Sequence, residues 1–143
     1  MTEAGLLEKA VPYWQRAGEK AAERSANLEA IAHLGRGVEI LMRLPESHSR
    51  DEQELLLQAA LVGPFTANEG YASPGLERAA SRAVELGGRI GADSPAQFQA
   101  VWARIWFAAI HLGRGELRTA RSVAADNIAF AERSIALSPA RCQ

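Results

Sequence analysis

Few side chains in this sequence are placed for chemistry. Three histidines, His33, His48 and His111, are the first candidates for metal ligation or proton transfer. Two ligands on one helix face need a spacing of four, as in HExxH, and no two of the three have it. The single cysteine, Cys142, lies in the C-terminal tail, whereas a catalytic thiolate needs a positioned base and a protected site. Glu52, Glu54 and Glu116 sit where helices begin and complement the helix dipole there. Nothing in their spacing makes them converge as an acid–base pair. Gly35-Arg36-Gly37 and Gly113-Arg114-Gly115 resemble phosphate loops only in composition. Neither follows a strand, and no GxxxxGK[ST] motif is present. The sequence therefore predicts no catalytic residue, no cofactor and no metal.

What remains is recognition. Trp102 and Trp106 are one helical turn apart in the most apolar stretch of the chain. They are either core or the wall of a binding surface. A formal net charge of -1 leaves no basic footprint for nucleic acid. The longest strongly apolar run, residues 105–110, is far too short for a membrane span. No secretory signal is visible at the N-terminus, and one cysteine permits no internal disulfide. A cytoplasmic protein with protein or peptide partners is the expectation.

The elements that must position these residues are helices. Alanine, the best helix former, occurs 28 times in 143 residues, and no stretch alternates with period two. Helix 1 is expected over residues 6–24, with Leu7, Val11, Trp14, Ala17, Gly18 and Ala21 inward and Pro12 in its first turn or at a kink. Asn27 reads as the N-cap of helix 2, which buries Ile31, Leu34, Val38 and Leu41 and ends at Pro45. Ser49-Arg50-Asp51-Glu52 reads as a capping box opening helix 3, which continues with a kink through Gly63-Pro64. Ser73-Pro74 opens helix 4, and Gly91-Ala92-Asp93 ends it. Ser94-Pro95-Ala96-Gln97 combines cap, proline and box residue and opens helix 5, whose apolar residues on nearly all sides predict burial between neighbours. Helix 6, residues 116–137, turns Leu117, Ala120, Val123, Ala124, Ile128 and Ala131 inward and stops at Ser138-Pro139.

Three helix openings around a small residue, at Ala30, Ala79 and Ala120, divide these six helices into three pairs. A His-Leu-Gly-Arg-Gly pentapeptide occurs twice, at 33–37 and 111–115, but out of repeat phase. Trp14, Gly18 and Ala30 fall at the spacing of the tetratricopeptide signature, and Phe107, Ala108, His111, Ala120 and Ala124 match it in the third pair. The intervals between the small residues are 49 and 41, longer than the usual 34 or so. The chain thus resembles degenerate tetratricopeptide repeats. Residues 6–34, with Ala10-Val11-Pro12-Tyr13-Trp14 and Arg24-Ser25-Ala26-Asn27, also resemble the helical-repeat region of large bacterial signalling ATPases. Residues 61–74 and 113–121 are similar to later parts of that region. Many members of that family carry a class III adenylate/guanylate cyclase domain. The resemblance implies a sensor or scaffold segment within a larger signalling protein, without its catalysis.

The predicted fold is all-α, a tetratricopeptide-like right-handed superhelical stack of about three helix pairs forming one domain over residues 1–143. In that alignment the first helices of each pair line a concave surface with Gln15, Arg16 and Glu19, then Phe65 and Asn68, then Trp102, Ile105 and Trp106. Apolar anchors with polar orientation suit a peptide. The expected function is a non-catalytic interaction or scaffold module of a bacterial signalling system. The alternative is homodimerisation through terminal faces, because repeat arrays need polar caps and no capping helix is visible.

Overall fold

The computed structural model describes residues 2–91 and 94–136. Ala92-Asp93, Ser138-Pro139 and Cys142 fall outside the described residues. The described residues form six helices: α1 (Glu3–Glu23), α2 (Asn27–Leu41), α3 (His48–Glu69), α4 (Pro74–Arg89), α5 (Gln97–Gly113) and α6 (Leu117–Ala136). No strand occurs among the described residues. Each helix packs on the next, and α3 also touches α1 and α5 directly. Short connections turn successive helices back on one another.

Local chemistry explains the helix starts, and not always as the sequence suggests. Ser73 caps α4 as expected: its hydroxyl accepts the Leu76 N–H at 3.1 Å, with Pro74 at the first helical position. Asn27 is not a cap. It is the first helical residue of α2, and no side chain caps that helix, because backbone bonds close the turn before it. Helix α3 is capped by Ser47, whose Oγ accepts the Arg50 N–H at 3.1 Å; Ser49 already lies in the first turn. At α5, Ser94 Oγ accepts the Ala96 N–H at 3.2 Å and its carbonyl accepts Gln97 N–H at 3.0 Å. That closes a turn and delays the helix to Gln97. Pro12 and Pro64 lie inside α1 and α3, and neither ends its helix. The carbonyl that Pro12 leaves without a helical donor belongs to Glu8, an exposed residue that water can serve.

The turns that close the first helix of each pair set the period of the fold. Among the described residues, φ is positive only at Ser25 (61°), Gly70 (74°) and Gly115 (75°), at even intervals of 45 residues. In the first and third turns the hydrogen bonds coincide. Ala26 N–H donates to Ala21 O at 2.8 Å and Ser25 N–H to Ala22 O at 2.9 Å. Glu116 N–H donates to His111 O at 2.9 Å and Gly115 N–H to Leu112 O at 3.0 Å. Both are Schellman closings with a left-handed residue after the helix. In this register the small residues near the start of the second helices are Ala30, Gly75 and Ala120. Gly75, not Ala79, is therefore the mark of the second pair.

Packing is shared between pairs. Val11, Leu34, Leu41, Leu57 and Leu61 join α1, α2 and α3 in one cluster. Leu55, Ala83, Leu86, Ala100, Ala103 and Phe130 join α3 to α6 in a second. Val62, Leu76, Ala80 and Ile110 form a third. Two glycines admit neighbours too close for a side chain. A Cβ on Gly18 would stand 2.5 Å from Leu34 Cγ, and one on Gly75 would strike the Phe65 ring.

Two expectations about facing residues are corrected. Helix α5 is not enclosed: its buried residues are Ala100, Ala103, Ile110 and His111, while Phe98, Trp102, Ile105 and Leu112 are exposed. Its neighbours cover one side only, and they approach closely because that side is small; a Cβ on Gly87 would lie 2.8 Å from Ala100 Cβ. Helix α6 turns inward through Val123, Asn127 and Phe130, with Ala120 and Ala131 half-buried. Leu117 and Ile128 are each 62% exposed, and Ala124 is exposed as well. Two apolar stripes compete on this helix. The Asn127 amide selects one by donating to Arg104 O at 3.0 Å.

Arg82 of α4 grips the buried Glu54 of α3 with two hydrogen bonds, of 2.7 and 2.9 Å. Burial opposes ionisation of Glu54, but the Arg82 guanidinium with help from Gln58 outweighs it and holds the carboxyl below its usual range.

Gly18→Ala should destabilise the fold by about 1–3 kcal/mol through overpacking against Leu34, despite alanine's better helix propensity. Ser25→Gly should stabilise it by about 0.5–1 kcal/mol, because glycine meets the left-handed turn without steric cost. Urea unfolding of the two variants measures both signs. Arg82→Ala should cost about 2–3 kcal/mol at pH 7 by leaving Glu54 charged and unpaired in the interior. A carboxyl with a lowered folded pKa stabilises above its unfolded value and loses that contribution as pH falls. The gap between wild type and Arg82→Ala should therefore narrow below the unfolded pKa of about 4.3. Unfolding curves at pH 7 and pH 3.5 check it.

Candidate binding groove

The first, third and fifth helices enclose a groove of about 380 Å³. Helix α1 contributes Gln15 and Glu19, one turn apart. Helix α3 supplies the floor with Leu56, Ala59, Ala60 and Val62. Helix α5 supplies Gln99, Trp102, Ala103 and Trp106. The small floor residues leave space that larger ones would fill, and the two indoles stand at its side.

The tryptophans are held from behind. Trp106 stacks on Tyr71 of the α3–α4 turn, with ring centroids 6.3 Å apart. The Tyr71 carbonyl accepts Arg114 Nε at 3.2 Å, and Arg114 also donates to Glu77 Oε2 at 2.6 Å. The Arg114 hydrogen bond holds the Glu77 carboxyl below its usual range. The second and third turns are thereby tied together directly beside the groove wall. Trp102 meets Phe98 edge-on at 6.0 Å and remains 45% exposed.

Polar character is sparse and one-sided. Gln15 Nε2 donates to Glu19 Oε1 at 3.1 Å. Glu19 is the only lining residue that carries a charge, and among the described residues no cation pairs with it. Gln99 Oε1 is buried and has no hydrogen-bond donor among the described residues. With one titratable group the groove holds no acid–base pair. It can bind, orient and exclude water.

Of the residues expected at a concave surface, Gln15, Glu19, Trp102 and Trp106 meet here. Arg16 is exposed on α1 and donates back to Pro12 O at 3.4 Å. Ile105 is exposed on α5 and does not line the groove. Phe65 belongs to a different cleft, with Val38, Leu61, Gly75 and Ala79, because Gly75 admits its ring. Asn68 is exposed in the last turns of α3 and lines no part of the groove. The alignment of Ala30 with Ala79 sets Phe65 opposite Arg16 and Asn68 opposite Glu19, whereas the groove takes Ala59 and Ala60 from an earlier turn of α3. The residues not anticipated are Leu56, Ala59, Ala60, Val62, Gln99 and Ala103.

The histidines are dispersed. His33 lies near Glu29 on α2, and His48 bonds Glu52 across one turn of α3. His111 is buried against Phe107, its Nδ1 2.8 Å from Glu116 Oε2. Among the described residues no three histidine, cysteine, aspartate or glutamate side chains gather as a metal site. No helix among them is long and apolar enough to cross a membrane.

No family model matches the chain. No solved structure matches it either. It is similar to an uncharacterized protein of Rhizobium meliloti (strain 1021), 31% identical over 104 residues. That stretch is 73% of this chain and 10% of the relative, so the similarity spans a tenth of a much longer protein.

Proposed function

We propose that this chain is a non-catalytic protein–protein interaction module, built as a tetratricopeptide-like right-handed superhelical stack of three helix pairs. The even 45-residue interval of left-handed turns, the packing of each helix on the next and the direct contacts of α3 with α1 and α5 support the stack. The observation that carries the function is the α1/α3/α5 groove, with Trp102 half-exposed over a floor of alanines. A concave, mostly apolar surface with a few polar groups is where a partner or ligand is ordinarily held. The partner is a protein or peptide segment; neither nucleic acid nor membrane enters. The bacterial signalling context and the scaffold role rest on the resemblance of residues 6–34, 61–74 and 113–121 to signalling ATPases, and a cytoplasmic location rests on the single cysteine and the lack of a visible secretory signal.

A photo-crosslinking side chain at Ala59 should capture a partner that the same group at Ser81, on α4 and outside the groove, does not. With the captured partner purified, folded Trp102→Ala should bind at least about tenfold more weakly, as for a buried aromatic anchor. Unchanged affinity rejects the groove.

A second reading, structural self-association, is favoured by a separate observation. Ile105 and Leu112 on α5 and Leu117 and Ile128 on α6 leave the C-terminal pair with exposed apolar stripes. Light scattering across a concentration series separates the two. The first reading expects a monomer. The second expects a dimer that Leu117→Glu with Ile128→Glu dissociates.

A further inference from the structure

The one charged group among the residues that line the groove is a carboxylate, Glu19. We infer that the groove's occupant is a partner polypeptide segment that inserts an arginine side chain, an inference that rests on the groove reading above. Glu19 brings a carboxylate with no cation paired to it among the described residues, and the Gln15 amide donates to one of its oxygens. A wholly apolar segment would strip water from the Glu19 carboxylate without replacing it, which costs more than the apolar contact returns. An acidic segment would meet Glu19 with like charge.

Arginine answers the carboxylate and the indole together. Its planar guanidinium stacks on an aromatic ring, and the half-exposed Trp102 lines the groove. Its several N–H groups match a carboxylate in bidentate fashion. A lysine ammonium is compact and strongly hydrated, so it fits the carboxylate but forgoes the stacking. A volume of about 380 Å³ takes one long side chain and an adjoining apolar residue on the alanine floor.

A random dodecapeptide display library panned on the whole chain, and in parallel on the folded variants Glu19→Gln and Trp102→Ala, tests this. Glu19 is exposed, so its variant should keep the fold, which helical circular dichroism checks. Sequences recovered on wild type should be enriched in arginine next to an apolar residue, and the enrichment should vanish on both variants. In the best synthetic peptide, arginine→citrulline should weaken binding about tenfold or more, read by tryptophan fluorescence. Glu19→Gln should weaken the arginine peptide to the same degree and leave the citrulline peptide unchanged. Recovery of groove-dependent peptides without arginine overturns the inference and leaves the groove reading intact. Arginine peptides indifferent to Glu19→Gln also overturn it. Recovery of no Trp102-dependent peptide defeats both.

Discussion

The fold depends on turning a helix back on itself at a fixed interval, and three residues with positive φ do that. Ser25, Gly70 and Gly115 each follow the first helix of a pair, where the chain must leave the right-handed region to reverse. Glycine meets this demand without cost, and serine does not. That Ser25 is nonetheless left-handed shows how strongly the surrounding bonds determine the turn: Ala26 and Ser25 both donate back into the last turn of α1. The three reversals recur every 45 residues, and each helix packs on the next. Each core cluster then draws on more than two helices, so no pair is closed without its neighbours.

Close approach follows from small residues, and it decides which large ones stay outside. Helix α5 packs on α4 with alanines, and Gly87 lets Ala100 come in. The aromatic mass of α5 is consequently displaced to its other sides. Trp106 and Phe107 remain half-buried beside the third cluster, while Phe98 and Trp102 stand in the open. An apolar helix in a sequence invites the conclusion that it is central; here its small side is the buried one. The same physics acts in reverse at Gly75, where the absence of a side chain draws the Phe65 ring inward and removes it from the groove.

The legible part of the sequence was that governed by local rules. Ser73-Pro74 named the start of α4 within one residue, and no turn chemistry interrupted α3 at Pro64, so the helix runs through. The all-helical class followed from alanine content and the lack of period-two alternation. The failures came where two local solutions compete. Ser47 and Ser49 both precede acidic residues, and the choice between them fell to the one preceding the helix in extended backbone. Helix α6 carries two apolar stripes, and an amide bond from Asn127 to α5 chose between them. The repeat register failed for a related reason. Ala79 is a small buried residue in α4, as Ala30 is in α2, but the equivalent position is Gly75, four residues earlier. Left-handed backbone is not printed in a sequence when a serine adopts it, so the first of the three marks was invisible.

The groove wall is braced by the turns themselves. Tyr71 lies one residue past Gly70, and Arg114 one residue before Gly115. Arg114 holds the Tyr71 carbonyl and the Glu77 carboxylate, and the Tyr71 ring backs Trp106. The second and third reversals are therefore clasped to each other at the point where an indole must be kept in position. A rigid aromatic wall loses less freedom on binding than a mobile one, so more of any contact with it appears as affinity. The turn geometry that spaces the helices is thus also what preorganises the surface they enclose.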